Sequence, residues 1–141
     1  MEVKSRVSEE LQAAVVGMLL GDASIIPGGF MQFRHAARQK AYALYKAEIL
    51  RQINHVHVSE SDGYLDARTG NTYPFVNVKS RPHPLYVRLR QAFYPTGHKV
   101  VDPFWLRKLD ERGFALWYFD DGTSKHDHCY LATLAFSWPE N

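Results

Sequence analysis

Apolar residues run almost without interruption from Ala13 to Leu20, behind Ser8 and the acids Glu9 and Glu10. A serine followed by acids is a helix start, because the hydroxyl caps free N–H groups and the carboxylates face the positive end of the helix dipole. The pattern predicts a helix through LQAAVVGMLLGD that is apolar all round and therefore buried. SIIPGGFMQFRH predicts two strands around a Pro27-Gly28-Gly29 turn. QKAYALYKAEILRQI predicts an amphipathic helix, with Tyr42, Ala43, Lys46 and Ile49 at helical spacing. VHVSESDGYLDAR and TYPFVNVKS predict a second strand pair, in which Phe75, Asn77 and Lys79 share one face. Helix PLYVRLRQAFY, the loop PTGHKVVDP and a short helical turn at FWLRKL follow. A second buried helix ends the series at FALWYFDDG. The predicted order is α-β-β-α-β-β-α and then α, an α+β chain.

The two buried helices carry the same pattern. Residues 15–23 read VVGMLLGDA and residues 114–122 read FALWYFDDG, each an apolar run closed by aspartate and a small residue, 99 positions apart. A carboxylate in the last turn of a helix faces the negative end of the dipole, at a cost of about 0.3–1 kcal/mol on an exposed site. Repeating that cost at Asp22 and Asp121 points to a requirement other than stability. Both are met if the helices pack side by side, roughly parallel, and bring their carboxylates to one point. Gly17 and Gly21, four apart on one face, let the backbones approach closely, with Ala115 on the facing helix. Two adjacent carboxylates favour a cation between them, and hard oxygen ligands with water completing the shell suit Mg²⁺.

Composition adds charge to this picture. The chain has 141 residues, 45% of them hydrophobic, and a formal net charge of +2. That average conceals an uneven distribution. Residues 31–108 hold thirteen Lys and Arg against five acids, a balance of +8, while the remainder holds four against ten, a balance of −6. A basic middle section is drawn to a polyanion, because neutralising phosphates releases condensed counterions. The single cysteine, Cys129, excludes an internal disulfide framework. No apolar run approaches the roughly 18 residues of a membrane span, and the N-terminus lacks the apolar centre of a signal peptide, so an intracellular or organellar location is expected. His126, Asp127, His128 and Cys129, with His98, form a candidate metal cluster, but their spacing is wrong for structural zinc.

The pair VVGMLLGDA and FALWYFDDG resembles the duplicated signature of LAGLIDADG homing endonucleases. FMQFRHAARQKAY is similar to the strand-then-helix stretch after the family's first motif. HKVVDP resembles the basic Lys-x-x-Pro region before the second, and TLAFSWPEN resembles the stretch that follows it. The resemblance implies an αββαββα unit whose antiparallel saddle lies in the DNA major groove, plus the start of a second unit. Residues 1–112 would form the first half and 113–141 an incomplete second half, with a further chain or self-association supplying the rest. An uncovered face bearing Trp117, Phe119, Leu134 and Phe136 is expected in its absence. The implied activity is Mg²⁺-dependent, site-specific cleavage of double-stranded DNA, with Asp22 and Asp121 as metal ligands and Lys99, or His98 on a shifted loop register, near the scissile phosphate. Gln32, Arg34, Arg38, Lys79 and Arg81 are the implied DNA contacts. Asp120 is assigned a local hydrogen-bonding role. The alternative is a DNA-binding regulator, or an intron RNA splicing maturase, of the same fold without cleavage.

Overall fold

The computed structural model describes residues 7–63, 65–125 and 128–131, those from 121 onward through their backbone. Helix α1 spans Glu9–Leu20, with the Leu11 N–H donating to Ser8 Oγ at 3.2 Å as the cap predicted. Every residue from Gln12 to Leu20 is buried, as an all-apolar helix requires. Strands β1 (Ser24–Ile26) and β2 (Phe30–Ala36) follow. Gly28 and Gly29 between them have φ of 106° and 82°, backbone angles that side chains with a Cβ rarely adopt.

Helix α2 (Lys40–Arg51) leads to β3 (Val56–Ser61) and β6 (Phe75–Ser80), between which β4 (Leu65–Asp66) and β5 (Asn71–Thr72) form a small separate hairpin. The main sheet has the order β1-β2-β6-β3 and is antiparallel throughout. Helix α3 (Pro84–Phe93) starts on a proline, and the His83 ring accepts from the Leu85 N–H. The short helix α4 (Pro103–Leu106) precedes α5 (Glu111–Asp121), and the paired strands β7 (Gly122–Lys125) and β8 (His128–Leu131) are the last of the described elements. Asp110 Oδ1 caps α5 by accepting from the Gly113 N–H at 2.8 Å, so this helix begins two residues before the boundary expected at 113.

Strand alternation divides the main sheet into two faces. Met31, Phe33, His35, Val76, Val78 and Val56 point into the core with α1, α2 and α3. Gln32 pairs with Lys79 and Arg34 with Asn77 on the opposite, solvent-facing side. The expected uncovered face on α5 is only partly present: Phe119 is 66% exposed, but Trp117 is 6% exposed and belongs to the core. Leu134 and Phe136 lie outside the described residues. Among the described residues, no helix is long and apolar enough to cross a membrane.

Candidate nucleic-acid interface and acidic centre

Helices α1 and α5 run side by side with their C-terminal ends together, so that Asp120 Oδ2 accepts from the Asp22 N–H at 3.1 Å. Gly17 and Gly21 both lie on the contact face. A Cβ on Gly17 would overlap the Gly113 carbonyl, and one on Gly21 would sit 2.5 Å from the Asp120 side chain. The seam on α5 is therefore the row Gly113, Leu116, Trp117 and Asp120, at helical spacing. Ala115 is half-buried and lies off that row.

Asp22 is exposed just past the end of α1. Lys99 reaches the same end, its Nζ donating to the carbonyls of Leu19 and Ala23 at 2.8 Å each. A cation on the last carbonyls of α1 offsets the dipole at the point where Asp22 adds a negative charge. The side chain of Asp121 lies outside the description, as do those of His126, Asp127, His128 and Cys129.

Asp120 holds a larger place than its sequence reading gave it. Its carboxylate accepts from Lys46 Nζ at 2.9 Å and from the Tyr42 hydroxyl at 2.7 Å, and the side chains of Lys46 and Asp120 are both fully buried. The Lys46 ammonium also stands 4.3 Å from the centre of the Phe33 ring and 4.5 Å from that of Tyr42. Burial first, and the hydrogen bond to Asp120 second, raise the Tyr42 phenol far above its ordinary value, which keeps it a donor. His35 adjoins the group, with ligand atoms of Asp22, His35 and Asp120 all within 4.8 Å of one another. Among the described residues, its Nε2 is buried with no hydrogen-bond partner. Burial lowers the His35 pKa, and Lys46 lowers it further against the pull of Asp120 and Asp22, so the ring is held neutral.

Asp22 also borders the polar face of the sheet. Asp22, Ser24, Gln32, Phe33, Arg34 and Asn77 line one depression of about 210 Å³. Arg34 is fixed there: Nε donates to Asn77 Oδ1 at 3.0 Å, and the guanidinium lies 3.9 Å above the Phe75 ring. Lys79 is exposed on the same face, with its Nζ 5.6 Å from the Phe30 ring centre. Arg81 and Arg38 are exposed beyond the strand ends, Arg81 after β6 and Arg38 in the 3₁₀ turn after β2.

The sequence reading missed Gly113, which falls one residue before the second motif. It also gave no role to His35 or to the charge of Lys46. The signal for Lys46 was present, since a lysine among Ala43, Ala47, Ile49 and Leu50 on one helix stripe requires a buried partner.

The sequence profile of the LAGLIDADG DNA endonuclease family matches residues 12–141. Two curated relatives are both called Protein RecA. The chain is 30% identical over 125 residues to that of Mycolicibacterium flavescens and 31% identical over 124 residues to that of Mycolicibacterium chitae. Each match covers 83% of this chain but only 27% of the relative. Among solved structures, the homing endonuclease I-WcaI bound to its DNA recognition sequence superposes with a TM-score of 0.71 at 22% identity, covering 92% of this chain and 61% of that one.

Proposed function

Because the chain belongs to the LAGLIDADG DNA endonuclease family, we propose that it is a homing endonuclease, hydrolysing phosphodiester bonds at one long duplex target with Mg²⁺ held by Asp22 and Asp121. The observation that carries this reading is the shared depression. Asp22, an exposed residue, lines the same recess as Gln32, Arg34 and Asn77, so a duplex seated on the strands brings its backbone to the acid. A twisted antiparallel ribbon fits the major groove and presents alternate side chains to base edges. A carboxylate oxygen is what Mg²⁺, which keeps several waters, accepts from a protein, and this supports Asp22 as a ligand. When bound, the metal would activate water and stabilise charge on the phosphate.

The protein's own residues do the remainder. Gln32, Arg34, Arg38, Lys79 and Arg81 hold the duplex by base edges and phosphates. Lys99, anchored to the end of α1 beside Asp22, adds positive charge where the attacked phosphate gathers negative charge. In this reading residues 113–141 open a second unit that supplies Asp121.

The test is cleavage of duplexes selected from a randomised plasmid library, by the parental chain and by Asp22→Asn and Asp121→Asn. Each substitution should abolish double-strand cleavage and leave duplex affinity largely intact, with Ca²⁺ supporting binding without cutting. Full cleavage by either variant removes that residue from the metal site. Tight binding with no cleavage by the parental chain selects the regulator or maturase instead.

A further inference from the structure

Asp22, His35 and Asp120 have the outline of a three-ligand metal site, yet Asp120 is already saturated. A carboxylate offers about four acceptor positions. At Asp120, Oδ1 takes Lys46 Nζ at 2.9 Å and the Tyr42 hydroxyl at 2.7 Å, while Oδ2 takes the Asp22 N–H at 3.1 Å and Lys46 Nζ again at 3.2 Å. A divalent ion on this carboxylate would displace one of those donors and stand beside a fully buried ammonium. Lys46 supplies the positive charge that a metal otherwise would.

The remaining contact has a direction. At the end of α1 the Gly21 N–H returns to Gly17 and Met18 and the Ala23 N–H returns to Met18, but the Asp22 N–H leaves the helix for Asp120. Gly21 makes this possible, because a Cβ there would lie 2.5 Å from Asp120 Oδ2. The carboxylate that anchors the Asp22 backbone is thus itself anchored by two donors from α2.

We infer that Asp120 is a positioning residue: charge-balanced by Lys46 and oriented by Tyr42, it fixes the peptide of Asp22 and so aims the Asp22 carboxylate, without binding metal itself. This rests on the nuclease reading for its purpose, though not for its geometry. It also predicts that the acceptor matters and the charge does not, which is the opposite of what a metal ligand requires.

Two paired variants of the 141-residue chain separate these roles, with Asp22→Asn as reference. In Lys46→Met with Asp120→Asn, the amide oxygen still accepts from the Asp22 N–H and both members of the buried pair are neutral. In Lys46→Met with Asp120→Leu, the acceptor is gone and the site remains filled. Thermal melting and duplex affinity establish that both fold. The Asn pair should cleave close to the parental rate, whereas the Leu pair should lose roughly hundredfold, the scale of a misplacement of about 1 Å. An Asn pair as inactive as Asp22→Asn would make Asp120 a ligand, and a Leu pair as active as the parent would deny it any positioning role.

Amide hydrogen exchange at Asp22, followed by NMR, decides the geometry even if the parental chain cuts no DNA and the nuclease reading falls. Protection should persist in the Asn pair and drop by about tenfold in the Leu pair, as expected for one lost hydrogen bond. Equal protection in both overturns the inference.

Discussion

Gly17 of α1 and Gly113 of α5 meet backbone to backbone, the space for a Cβ on Gly17 being occupied by the Gly113 carbonyl and that on Gly113 lying 2.5 Å from the Ala13 carbonyl oxygen. Peptide groups cannot rotate aside as a flexible side chain can. Gly17→Ala therefore has to part the helices, and should destabilise the fold by the upper end of the ~1–3 kcal/mol usual for overpacking, or more. Chemical denaturation checks this. A Gly17→Ala variant within ~0.5 kcal/mol of the parent would show that the seam is looser than described.

The buried ion pair should respond differently to single and double replacement. Lys46→Met alone leaves the Asp120 carboxylate buried without its counter-charge, a change expected to cost about 3–5 kcal/mol. Lys46→Met with Asp120→Leu removes both charges and should recover most of that loss. Urea midpoints of the three proteins form the comparison, and equal losses in the single and double variants would contradict the pairing.

Arg34 is exposed and held against Phe75 and Asn77, and a guanidinium fixed in this way suits bidentate reading of guanine or a phosphate. Arg34→Ala should weaken duplex binding by about 1–3 kcal/mol. If Arg34 reads a base, discrimination at one base pair is lost; if it holds a phosphate, the salt slope falls by about one. Unchanged affinity at all salt concentrations would remove Arg34 from the interface.

Acid should weaken the fold through two histidines. His35 and His83 both have pKa values lowered from 6.5, chiefly by burial, so the folded protein binds fewer protons than the unfolded chain. Their contribution is complete above about pH 6.5 and is lost as pH falls through the lowered folded values. His83 has a local reason to remain neutral, since its Nδ1 accepts from the Leu85 N–H at the start of α3. Melting temperature should fall between pH 7.5 and 5, and His83→Asn, which can still cap the helix, should reduce the fall. An identical profile in that variant would assign the effect elsewhere.

The parts of the fold legible in sequence were those carried by a periodic pattern. Repeated apolar runs ending in aspartate give α1 and α5, and alternation along FMQFRH and FVNVKS gives both faces of the sheet, because each pattern leaves a record within a few adjacent residues. Asp120 was less legible. Of two neighbouring aspartates, the one turned toward Gly21 and Lys46 is selected by the rotation of α5 about its axis, which depends on Gly113 meeting Gly17. His35 was readable by parity, two residues after Phe33 and four after Met31 on the inward face, but its proximity to Asp22 required the end of α1 to be placed first.

The alternation of β2 and β6 also bears on how such a chain can change over generations. Positions 32, 34, 77 and 79 face outward, and 31, 33, 76 and 78 face the core. Substitutions in the first set fall where most changes alter stability by less than about 0.5 kcal/mol, while those in the second disturb packing. Under the proposed function, a lineage can wander from one target sequence to another through single replacements on one parity of the strand, each leaving a folded intermediate. Positions that hold the fold and positions open to the surface are interleaved residue by residue along the same two segments of chain.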